Sequence, residues 1–359
     1  MERFVAHTAG HAFRHPVTIS LLGPKEFARA ADGSNATDQP AYTAGHDVGA
    51  TFQALGLVTD AHEYDYGPAA TANILGFYLN GSNQVVLRAG PDNVFREGVL
   101  AHELTHVLQD QYYDLDALDA AARSTDASAA LSAVVEGQAD LMEAAWRASL
   151  PAVKQREYDD EQRASDREVT VRRRANDDVV RRATPDRALA PDDVLDLLAG
   201  FPYDYGDDFV RQLTVKDHVS VDRLLRHPPT TTIEVLNPEI YAAGLRDHLR
   251  SDTSSAPIVR APVGASALDA DNVGAFFLYA VLARASVSND ERSDDSQEWN
   301  GDTLVTWSED SQYCTRWSIN VYEQSHVAAL ARDLTLFAMT RPDGSVETAT
   351  QTVTVTVCG

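Results

Sequence analysis

The chain has 359 residues, 44% of them hydrophobic, enough to bury a substantial core in one large domain or two packed subdomains. Asp and Glu number 54 against 30 Lys and Arg, a formal net charge of -24. A surface this negative repels phosphate backbones and anionic lipid, which argues against nucleic acid and membrane surfaces as partners.

Lysine occurs only at Lys25, Lys154 and Lys216, while Asp pairs recur, as at Asp159-Asp160 and Asp192-Asp193. That is the pattern of halophilic proteins, in which strong salt screens self-repulsion over a few ångströms. No apolar run of about 18 residues predicts a transmembrane helix, and Met1 to Arg14 lacks the apolar stretch of a signal peptide. His7, His11 and His15 recur every fourth residue, but Gly10 and Pro16 interrupt them, so this segment reads as a flexible leader.

Val17 to Leu22 predicts a strand, Pro24 to Phe27 opens a helix, and the Gly/Ser/Asn/Asp-rich stretch from Asp32 to Asp38 predicts a loop. Two β-rich runs, Asn73 to Tyr78 and Gln84 to Arg88, flank Asn80-Gly81-Ser82 and read as a hairpin. Phe95, Val99, Leu100, Leu104, Val107 and Leu108 fall at helical spacing and predict a helix from Asn93 to Tyr112; a second runs from about Ser128 to Ala148. Lys154 to Arg187 carries both charge signs and few large apolar residues, and predicts an exposed, salt-bridged helix or a mobile excursion. The chain thus divides at 1–150, 151–190 and 191–359.

In the last part, Phe201 to Gly206 and the Pro-rich link His227-Pro228-Pro229 precede a buried helix at about Val273 to Ala285. Two strands (Thr303 to Ser308, Cys314 to Tyr322), a helix (Ser325 to Ala338) and an alternating strand (Thr350 to Val357) make a ββαβ-like end. Cys314 and Cys358 each lie in a strand-like run; a disulfide and two core thiols are both open.

The chemistry concentrates in His102-Glu103-Leu104-Thr105-His106. Histidines four apart on a helix share one face, so both imidazoles can reach one ion, and zinc takes two such nitrogens with a third protein ligand and an open vertex. Glu136, on the next helix, supplies that ligand, and Glu103 stands beside His102 as general base toward a water. Asp140, one turn beyond Glu136, is positioned to accept the outer ring N–H of a ligand histidine.

His102-Glu103-x-x-His106 followed by Glu136-Gly137-x-Ala139-Asp140 resembles the gluzincin metallopeptidases. A nearer resemblance is to surface or lipoprotein-type zincins of bacteria and haloarchaea, which share segments like Phe201 to Gly206, Pro228 to Leu236 and Trp299 to Asp302. They often carry Asp where this chain has Gln138. The resemblance implies an α+β fold: a zincin-like core of a small mixed sheet with an antiparallel edge strand and an active-site helix, then a mainly helical second half. It also implies bound Zn2+, a peptide or protein substrate, and a place at the cell surface or outside it. Peptide cleavage needs an oxyanion donor from the second half, for which Tyr203, Tyr205 and His227 are the candidates. Two readings stand: a zinc metallopeptidase, or a zincin-fold surface or structural protein that binds the metal without turnover. Glu103 favours the first, because a structural site needs no general base.

Overall fold

The computed structural model describes residues 1–32, 48–61, 74–165, 188–247 and 258–359. Most of the Asp32 to Asp38 loop, and residues 166–187 of the charged stretch, lie outside them.

The N-terminal segment is not the flexible leader its composition suggests. Residues Glu2–Ala9 form helix α1, closed by Gly10 at a left-handed φ of 72°. Val5 is fully buried and the Phe4 ring meets Trp146 edge-on at 5.1 Å. Beyond the helix, His11 bonds Asp222 at 2.8 Å and the Arg14 amide donates to Gln111 Oε1 at 2.6 Å. A helix this short has little stability alone; the surface it covers holds it, and that surface is invisible in the local sequence.

Strand β1 (Thr18–Leu22), helices α2 (Pro24–Asp32) and α3 (Val48–Leu55), and strands β2 (Gly76–Leu79) and β3 (Gln84–Arg88) follow. The first sheet has the order β1-β3-β2, with β1 parallel and β2 antiparallel to β3. Helix α4 (Val94–Tyr113) starts where the Asn93 side chain accepts the Arg96 amide at 2.9 Å and ends at Asp114, which takes φ 57°. Its apolar side packs Ala101, Leu104, Val107 and Leu108 against Tyr78, Val85 and Leu87 of the sheet.

After the short α5 (Leu115–Ala121), helix α6 (Thr125–Ser149) is capped by the Ser124 hydroxyl and lies against α4. Helix then resumes over 152–165, the start of the charged stretch. Salt bridges Lys154–Glu157 and Arg163–Asp160 lace it, yet it is not free: Tyr158, 2% exposed, packs at Gly98 of α4.

Helix α7 (Pro191–Arg211) runs along α6 and continues into a π-turn at Gln212–Lys216. The two helices cross at paired glycines: a Cβ on Gly137 would stand 2.2 Å from Gly206 O, and one on Gly206 2.2 Å from Ala133 O. Only glycine permits this approach. Helices α8 (Val221–Arg226), α9 (Thr232–Leu236) and α10 (Pro238–Asp247) complete the helical part.

The remaining elements are β4 (Ala267–Asp271), α11 (Gly274–Leu282), α12 (Asn289–Gln297), β5 (Trp299–Glu309), β6 (Gln312–Val321), α13 (Val327–Ala338), β7 (Ser345–Thr348) and β8 (Thr352–Cys358). Their antiparallel sheet has the order β4-β5-β6-β8-β7. Cys314 faces Cys358 across β6 and β8, and the two are joined as a disulfide. The large core runs through Phe52 of α3, Val134 of α6, Phe201 of α7, Phe277 of α11 and Trp317 of β6. Helix α3, sequentially within 1–150, thus packs on the second sheet, where Thr51 Oγ1 meets Thr306 Oγ1 at 2.7 Å.

Two segments singled out by the resemblance serve this frame. Thr232 donates to Asp126 Oδ1 through its amide at 2.7 Å and its hydroxyl at 2.6 Å. Asp302 accepts from Trp317 Nε1 at 2.6 Å and from the Val273 and Gly274 amides at 3.2 and 3.3 Å. The described residues form a mixed α/β fold, mostly helical, with two small sheets. Among the described residues no helix is long and apolar enough to cross a membrane.

Candidate metal centre

Helices α4 and α6 bring His102, His106 and Glu136 together, all buried. The spacing of four on α4 sets the two imidazoles edge-to-face with centroids 4.8 Å apart. Glu136 Oε2 reaches across from α6 to lie 3.2 Å from His102 Nε2 and 3.5 Å from His106 Nε2. Ligand atoms about 2.0–2.1 Å from a tetrahedral zinc ion lie roughly 3.3 Å from one another, so these separations match two edges of such a tetrahedron.

A second group, His102 with Asp140 and Glu143, also has metal-binding spacing. His102 Nδ1 lies 3.3 Å from Asp140 Oδ1 and 3.7 Å from Glu143 Oε2. A neutral imidazole has one lone pair and one N–H, so it serves one group as ligand and the other as donor. His106 decides between them. Its Nδ1 faces Gln109 Oε1 at 2.9 Å, while Gln109 Nε2 donates to Val135 O and Gln138 Oε1, each at 2.9 Å. With both amide protons engaged, Gln109 offers His106 only its oxygen, so the His106 proton sits on Nδ1 and its lone pair on Nε2. His106 Nε2 is fully buried, makes no hydrogen bond and faces Glu136. The donor set thus fits a metal on the Nε2 side, with Asp140 accepting from His102 Nδ1 and Glu143 close behind at 3.7 Å.

The electrostatics call for positive charge. Burial opposes protonation of His102, but hydrogen bonds and Coulombic attraction from Asp140 and Glu136 outweigh it and hold its pKa well above the usual histidine value. His106 is raised too, burial being overcome chiefly by Coulombic attraction from Glu136. Burial would raise Glu136, yet the two histidines bring it below the ordinary carboxylate range. Glu143, paired with the Tyr158 hydroxyl, is raised by burial and by Asp140. A divalent ion can replace the protons that the apo site attracts.

Glu103 lies outside the ligand group and is buried beside β2: a Cβ on Gly76 would stand 3.1 Å from Glu103 Cγ and 3.2 Å from its Oε1. Glycine at this position leaves the carboxylate its room.

The three oxyanion candidates are placed differently. Tyr205 packs in the aromatic core, its ring 5.4 Å from both Phe201 and Phe276, and burial pushes its hydroxyl up to about 12. His227 is an exposed residue ending α8, where its carbonyl accepts the Tyr241 hydroxyl at 2.6 Å. Tyr203 is half-buried on α7. Gln109, Glu143 and Tyr158 were not singled out from sequence. Glu143 carried a signal, since Glu136, Asp140 and Glu143 follow the four-then-three spacing of one helix face. The chain matches no family model, and no curated protein or solved structure is significantly similar to it.

Proposed function

We propose that the protein is a zinc-dependent hydrolase of zincin-like architecture, a metallopeptidase in which His102, His106 and Glu136 hold the metal. The observation that carries this reading is Glu136 Oε2 standing 3.2 and 3.5 Å from the two histidine Nε2 atoms, with Glu103 next to His102 on the same helix. Zinc, when bound, supplies Lewis acidity and makes water deprotonation feasible near neutral pH.

Glu103 takes the proton from the attacking water and later delivers it to the leaving amine. Asp140 orients His102, so that its Nε2 stays on the side of Glu136 and His106. Support for a peptide substrate comes from β2, an edge strand of the first sheet among the described residues, which borders Glu103 at Gly76. Such an edge offers main-chain donors and acceptors to an extended peptide.

The test combines metal analysis with turnover on a peptide library in strong salt. Wild type should retain about one zinc per chain, and His102→Ala or His106→Ala should lose it. Glu103→Gln should keep the zinc while turnover falls by ~10²–10⁴-fold. A fully loaded wild type that cleaves nothing would favour the surface or structural reading; undiminished cleavage by Glu103→Gln would remove Glu103 from the mechanism.

A further inference from the structure

The two histidines are held from behind by different chemistry. His102 Nδ1 faces carboxylates, Asp140 at 3.3 Å and Glu143 at 3.7 Å. His106 Nδ1 faces a neutral amide, Gln109, supplied by its own helix three residues on. That amide is fixed at its other end by the Val135 carbonyl of α6 and by Gln138. Gln109 is almost fully buried.

We infer that Gln109 is the positioning residue of His106, and that Gln138 is its anchor: together they fix the His106 tautomer and tie its ring to the helix that carries Glu136. This rests on the metal-site reading above and extends it to residues behind the ligand histidine. The chain of contacts is closed at each end. His106 can offer only Nδ1–H to the Gln109 oxygen, the Gln109 nitrogen can only donate, and both its acceptors are on α6. The first bond fixes which nitrogen carries the lone pair. The other two set the α4–α6 spacing at the point where Glu136 must meet both histidines.

Gln138 therefore has a task that an aspartate there can perform only in part. Either side chain can accept from Gln109, but glutamine adds no charge, whereas a carboxylate would add one more anion to the Gln109 pair. Gln109 and Gln138 both line a cavity of about 170 Å³, together with Tyr112, Tyr113, His11 and Asp222. A substituted side chain at 109 or 138 thus has room to adjust, and the variants are expected to fold.

The experiment uses the full chain as wild type, Gln109→Leu, Gln109→Glu and Gln138→Leu. Nitrogen-15 spectra of the metal-free protein, recorded above the range in which His106 titrates, report its tautomer. Competition with a chromophoric chelator reports zinc affinity. Wild type should show the Nδ1–H form. Gln109→Leu should show mixed tautomers and bind zinc ~10- to 100-fold more weakly, the usual consequence of losing a partner behind a metal ligand. Gln109→Glu can still accept from Nδ1–H, so the tautomer should be restored, whereas affinity should recover only in part, because a carboxylate cannot donate to Val135 O and Gln138 Oε1. Gln138→Leu should fall between wild type and Gln109→Leu, because the bond to Val135 O remains. The inference is overturned if folded Gln109→Leu keeps the wild-type tautomer and affinity, or if Gln109→Glu fails to restore the tautomer. Absence of zinc from wild type would remove the metal-site reading instead, and the tautomer measurement would still decide the role of Gln109.

Discussion

The glycine pair between α6 and α7 gives a perturbation whose effect can be worked from the structure. In Gly137→Ala the new methyl would stand 2.2 Å from Gly206 O, 2.3 Å from Gly206 C and 2.9 Å from Asp207 N. All three are backbone atoms, so no side-chain rotation relieves the contact. Reaching ordinary van der Waals distance requires the helices to separate by about 1 Å, and a radial gap of that size forfeits a quarter to a half of the dispersion attraction along the seam. The α7 side of that seam carries Leu198, Phe201, Phe209 and Val210, all buried. Alanine is the better helix former by about 1 kcal/mol, against an overpacking cost of about 1–3 kcal/mol or more plus the lost contacts. A net destabilisation of about 2 kcal/mol is expected, and a fall in melting temperature of roughly 5 °C. Gly206→Ala strains the same crossing, so the double variant should lose less than the two single losses added. Zinc affinity distinguishes which helix yields: if α6 moves, Glu136 is drawn from the histidines and affinity falls; if α7 moves, affinity stays. A Gly137→Ala protein that melts with the wild type would refute the close crossing.

Three further outcomes follow from charge and covalent structure. Burial pushes the Asp302 carboxyl up to about 7 against its three N–H donors, so between an unfolded value near ~4 and that pH the native state holds the extra proton. Its contribution to stability is therefore complete below pH ~4 and lost as pH rises through 7. Asp302→Asn should flatten this part of the stability profile in denaturant titrations across that range. Lowering salt from 1 M to 0.1 M lengthens the Debye screening from about 3 to about 10 Å and should lower the melting temperature of a chain with charge -24; a melt indifferent to salt would count against a halophilic design. Reducing the Cys314–Cys358 bond reopens a loop of sequence separation 44, worth about 4 kcal/mol in the chain-entropy account, to be read as a lower denaturant midpoint in the presence of reductant.

Much of the local structure was legible because one period dominated each segment. The apolar spacing from Phe95 to Leu108 predicts the helix found at Val94–Tyr113, and the alternation near the C-terminus predicts β8 at Thr352–Cys358. The missed elements lack that advantage. Asn289–Gln297 is so polar that no apolar period exists; its legible sign was the capping box of Ser288 and Glu291, and its burial falls on Arg292, Asp295 and Ser296. Strand β4 is equally silent, with Ala267, Leu268 and Ala270 exposed and only Asp269 buried. Helix α1 fails for a third reason: its buried contacts come from Trp146 and the α4 surface, far away in the chain.

The same distinction runs through the site. A direct ligand set has a signature because one ion constrains several residues at once: two histidines four apart, then an acid on a neighbouring helix. A residue acting through another has only one contact to satisfy, and many residue types at many spacings can satisfy it. Gln109 is therefore silent in sequence, although it is as buried as the histidine it holds. Its neutrality has a physical reason. Glu103, Glu136, Asp140 and Glu143 already stand around His102 and His106, and a single divalent ion bound there would offset only part of that charge. A fifth carboxylate at 109 would give His106 a stronger acceptor but leave more negative charge buried without a partner, a term that costs several kcal/mol per ion in a dry interior. The amide supplies the directional bond without the charge, whereas His102, nearer the surface, can face Asp140 and Glu143, both partly solvated.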